Sequence, residues 1–139
     1  MNSKNFFAAG IAGGITYFFL GWLCYGMLFA DILRAHAGSA TGVDRGEDML
    51  LWSIALGNLA SGFLLSYIFS RLAHIQTAVA GAKTGLWIGL LLAAGVNFTM
   101  YGTSNLFTLN GLFIDVLIYA GMSAFAGAVV ACVVGMAKS

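Results

Sequence analysis

Four apolar runs dominate this sequence: about Phe6 to Phe29, Leu50 to Phe69, Thr84 to Tyr101 and Leu112 to Met136. Each reaches or approaches the ~20 residues that a helix needs to cross a ~30 Å hydrocarbon core. The intervening stretches, Ala30 to Met49, Ser70 to Lys83 and Gly102 to Gly111, hold most of the polar residues. The pattern predicts an all-α, polytopic membrane protein, a single four-helix transmembrane domain over residues 1–139, with spans near 6–29, 50–69, 84–101 and 112–136.

Only 8% of the residues are charged and 60% are hydrophobic, whereas soluble domains carry about 25% charged residues. No polar stretch is long enough to build a second domain. A net charge of +1 with six Lys plus Arg gives no basic patch, so nucleic acid is excluded as a partner. Nineteen glycines with no proline read as close-packing surfaces of membrane helices. Cys24 and Cys132 fall in the first and last runs, near opposite faces, and are expected to be separate packing residues without a disulfide.

The first run is longer than a signal-peptide core and has no small-x-small cleavage site, so it is expected to be retained. Leu23 is too bulky before Cys24 for lipoprotein processing. Basic residues are retained on the cytoplasmic side. Lys4, Arg71, Lys83 and Lys138 share one side with His74, while Asp31, Asp44, Glu47, Asp48 and Asp115 share the other with Arg34 and Arg45. Both termini are therefore expected in the cytoplasm, and the chain in the cytoplasmic (inner) membrane. Asp44 and Glu47 have the spacing of a capping box ahead of the second span.

Small residues repeated every four positions mark helix contacts in lipid, where hydrophobicity cannot drive association. The third span carries Gly81, Gly85, Gly89 and Ala93, and the fourth carries Ser123, Gly127, Ala131 and Gly135. These two spans are expected to pack tightly, against each other or against another copy. The first span carries Gly10 and Gly14; the second carries Gly57 with Ser61, and Asn58 with Gly62 and Ser66. Extending the third-span stripe leads to Asn97, Tyr101 and Asn105, and extending the fourth leads back to Tyr119 and Asp115. A step of four drifts about 40° per repeat, so the shared face is approximate.

Asp115 is the ionisable residue set inside an apolar run, which makes it a candidate functional group. Placed about one turn into its span, it is expected to join Tyr119, Tyr101 and Asn105, with Tyr25, in a polar cluster near the outer face. Asn97, deeper in the third span, predicts an interhelical hydrogen bond worth around 1 kcal/mol.

Histidines and cysteines are too dispersed for a zinc site, and neither a phosphate loop nor a dinucleotide fingerprint is present. No metal site, cofactor or catalytic residue is assigned. A small multidrug exporter would carry a carboxylate in the middle of its first span; this first span has none.

Gly21-Trp22, Tyr25-Gly26 and Leu28-Phe29, closing the first span, resemble the aromatic-rich end of that span in a family of small four-span bacterial membrane proteins of unknown function. Length, topology and an acidic residue early in the fourth span, here Asp115, are similar too. The resemblance implies a fold and no activity. The expected function is association with itself, with another membrane protein or with the lipid bilayer. The alternative is an oligomeric minimal channel or transporter for a small solute or ion, because four helices leave little room for an aqueous path within one copy.

Overall fold

The structure is a computed structural model that describes residues 3–136. Lys138, one of the basic residues behind the expected orientation, lies outside the described residues. The described chain is helical and contains no strand. Four helices are long and apolar enough to cross a membrane. They are α1 (Ser3–Leu23), α3 (Leu51–Tyr67), α4 (Ala78–Thr103) and α5 (Leu109–Met136), and α2 (Ala30–Ala35) is a short helix between the first two. Helices α1 and α3 each run on into a wide π turn, Cys24–Leu28 and Ile68–Leu72 respectively. Large apolar residues cover the outside of the bundle: Trp22, Leu117 and Phe125 are each more than 60% exposed. Such a surface is untenable in water and ordinary in lipid.

The helices form two antiparallel pairs, and small residues set the contact in both. In the α4–α5 pair, a methyl group on Gly81 would strike the Gly127 carbonyl, one on Gly85 the Ser123 carbonyl, and one on Gly89 the Ser123 side chain. The two small-residue stripes therefore face each other within one chain. Gly135, at the end of its stripe, lies against the Gln76 backbone instead. In the α1–α3 pair, a methyl on Gly62 would collide with the backbone of Gly10 and Gly14, so these helices also cross at backbone contact.

The end of the bundle holding Lys4 and Met136, here the terminal end, is filled and cross-tied. Leu65, Phe69, Ala126, Val130 and Val134 are almost fully enclosed there. Ser66 donates to the Phe6 carbonyl at 2.7 Å, and Asn5 donates to the Val133 carbonyl at 3.5 Å. Arg71 lies over the Phe6 ring at 5.7 Å.

The opposite, loop end is organised by a strap that the sequence did not reveal. Residues 36–40 pair antiparallel with 105–108: Thr108 N donates to His36 O at 2.9 Å, Gly38 N to Leu106 O at 3.0 Å, and Ala40 N to Asn105 O at 3.0 Å. Gly38 is required, because any side chain there would enter the Asn105 backbone. The strap fastens the chain following α1 to the start of α5. Helix α1 meets α3 at the Gly62 crossing and α5 at Asn5–Val133 and Tyr17–Ser123, and a gap opens between α1 and α3 toward the loop end.

One local expectation changes. The acidic stretch does not cap the second span: Asp44 Oδ1 accepts from Gly46 N at 2.8 Å within the loop, and α3 begins after Leu50 with no side-chain cap. A side-chain cap is found instead at α4, where Thr77 Oγ1 accepts from Ala80 N at 3.3 Å.

Candidate functional site

A run of polar side chains lies in the loop-end half of the bundle, where α1, α4 and α5 meet. Asn97 continues the buried face of α4 that begins at Gly81. Its Nδ2 donates to Asp115 Oδ2 at 2.6 Å. Helix α5 begins at Leu109, so Asp115 stands about 9 Å along it at 1.5 Å per residue. It is partly buried, with fully enclosed Leu112 one turn before it and buried Val116 beside it.

Tyr25, on the π turn that closes α1, lies close to the same carboxylate and to Tyr119. The Tyr119 ring stacks on Tyr17 with centroids 5.8 Å apart and an interplanar angle of 16°. Its hydroxyl reaches Ser61 Oγ at 3.5 Å. Tyr17 donates to Ser123 Oγ at 2.7 Å, and both residues are buried. The result is a run of polar side chains from Asn97 through Asp115, Tyr25, Tyr119 and Tyr17 to Ser123. It unites all three packed helices and ends at mid-bundle, where the enclosed apolar residues of the terminal end begin.

Of the residues expected to cluster, Asp115, Tyr119 and Tyr25 are brought together, while Tyr101 and Asn105 are not. Tyr101 is 43% exposed, on the outer side of α4. Asn105 lies beyond the end of α4 and serves the strap through its backbone carbonyl. The buried face of α4 runs from Gly81 to Asn97 and ends there, so Asn97, not Tyr101, stands opposite Asp115. Sequence reasoning also missed the link between Tyr17 and Ser123. Both lie on small-residue stripes, Tyr17 between Gly13 and Gly21 and Ser123 ahead of Gly127, which is the signal that was available.

Two lateral cavities flank this polar run and share Tyr119. The first, of about 340 Å³, lies between α4 and α5 and is lined by Leu92, Ala93, Val96, Asn97, Asp115 and Tyr119. The second, of about 370 Å³, occupies the gap where α1 and α3 part; Phe18, Trp22, Ile54 and Met122 form its walls, with Tyr25, Asn58 and Tyr119 as its polar points. Tyr25 also lines a polar hollow of about 540 Å³ at the loop end, together with Arg34 and Asp44. Among the described residues, no three His, Cys, Asp or Glu side chains gather as metal ligands do.

Comparison with family models, curated proteins and solved structures gives no match. The functional reading therefore stands on the geometry.

Proposed function

We propose that this protein is a non-enzymatic membrane protein that works by lateral association in the bilayer, with lipid as the associating partner. The observation that carries the reading is the cleft between α1 and α3. Four-helix packing normally closes such a gap with side chains. Here α1 and α3 touch at the Gly62 crossing and leave a gap toward the loop end. An apolar gap opening onto hydrocarbon fills with an acyl chain, because an empty one forfeits dispersion contacts along its whole lining. Asn58 and Tyr119 offer hydrogen-bonding groups to a polar portion of the same molecule. The cytoplasmic membrane, with both termini inside, is the setting that the distribution of basic residues supports.

Mass measurement of the intact protein released from gentle detergent tests the reading. The expected result is a retained lipid adduct that is lost in Ile54→Trp, which fills the cleft. A bare protein under every mild condition would contradict it.

Transport is the second reading, favoured by the run of hydroxyls around Tyr119. Within one copy the run stops at Ser123, and the remaining half is filled by Phe69, Ala126, Val130 and Val134, with the buried hydroxyls of Ser66 and Ser70 engaged on backbone carbonyls. A solute path would therefore have to lie between copies of the chain. Ion or solute flux in vesicles containing the purified protein would support this reading over lipid association.

A further inference from the structure

The carboxylate of Asp115 stands on the wall of a cavity that is otherwise mostly apolar. Asn97 donates a hydrogen bond to it, and Tyr25 lies close by. One such donor leaves most of a carboxylate's accepting capacity unused, since its oxygens offer about four sites. Among the described residues no ion pair involves Asp115, while the ion pair between Arg34 and Asp31 is out in solvent. A negative group beside apolar walls attracts a cation far more strongly than the same group does in water. Tyr119 lines the same cavity and adds an aromatic ring, a surface that cations favour.

We propose that this cavity binds a lipophilic cation, an ammonium group carrying a short apolar body, drawn laterally from the bilayer. The ammonium sits on Asp115, and the apolar body lies along Leu92, Ala93 and Val96. A phospholipid headgroup is a poorer occupant: it brings a phosphate within a few ångströms of its amine, and Asp115 repels that phosphate. The inference rests on the lateral-access reading above but uses the α4–α5 cavity, not the α1–α3 cleft.

Equilibrium binding of radiolabelled decyltrimethylammonium to the full chain, in maltoside micelles that contain no amine, tests it. Binding is expected to saturate at one site and to resist competition by decanol, which has the same chain length and no charge. Asp115→Asn keeps one oxygen that can accept from Asn97 and is expected to weaken binding at least tenfold while lowering the melting temperature less than Asn97→Leu does. Val96→Trp alters an outward-facing residue, fills the cavity, and is expected to weaken binding to a similar degree; it keeps the test decisive if Asp115→Asn misfolds. Ile54→Trp, which blocks the other cleft, is expected to lose lipid but retain the cation. Unchanged binding in Asp115→Asn or Val96→Trp, or equal competition by decanol, overturns the proposal. Loss of cation binding in Ile54→Trp would put the probe in the cleft and also overturn it. Displacement by added phosphatidylethanolamine would identify a headgroup as the occupant and refute the assignment to a free cation.

Discussion

Asn97 and Asp115, eighteen positions apart in sequence, face each other across the α4–α5 contact and share a 2.6 Å hydrogen bond. The bond lies on the same helix contact that begins with the glycines, so the polar site and the tightest packing belong to one surface. Replacing Asn97 with leucine removes one donor from the carboxylate without disturbing the glycine contacts. The expected cost is about 0.6–1.7 kcal/mol, the range for interhelical hydrogen bonds in membranes. Unfolding in mixed micelles measures it, and Asp115→Asn should cost less than Asn97→Leu because its carbonyl oxygen still accepts.

The glycines divide into two groups with opposite expected responses. Gly85 and Gly127 meet backbone across the helix pair, so leucine at either should cost about 3 kcal/mol or more, or prevent folding, as overpacking does. Gly95 and Gly121 have open space where a side chain would begin. Alanine at either should be neutral or stabilising by up to about 1 kcal/mol, from helix propensity alone. Thermal melting of the four variants in one detergent compares them directly.

Orientation follows from charge and is tested by labelling. A cysteine introduced as Ala40→Cys should react with an impermeant maleimide in whole cells, in a background with Cys24 and Cys132 replaced by alanine. Asn2→Cys and Ser139→Cys should react only after the membrane is disrupted. The reverse pattern would invert the orientation.

Much of the scaffold was legible in the sequence. Span length and hydropathy located the four long helices, and the small residues spaced by four on the third and fourth spans pointed to the surfaces that meet in the structure. Placing Asn97 opposite Asp115 required the antiparallel register of α4 and α5, and spacing within one helix cannot supply that. Counting by fours allowed for the drift of a 3.6-residue helix but could not say where the contact face ends, and so carried the stripe on to Tyr101. The cleft was invisible for a different reason. It lies beyond the Gly62 crossing of α1 and α3, on the side where the chain after α1 is tied by Gly38 to the Asn105 backbone. Both the crossing and the tie are tertiary contacts between segments far apart in sequence.

Lipid occupancy of the α1–α3 cleft is tested most directly by photo-crosslinking. A phospholipid carrying a diazirine on its acyl chain, incorporated in vesicles with the purified protein, should label peptides containing Phe18, Trp22, Ile54 and Met122 above the lipid-facing background set by Leu117 and Phe125. Ile54→Trp should reduce that excess to background. Labelling spread evenly over the outer surface, with no excess at the cleft and no effect of Ile54→Trp, would contradict the account.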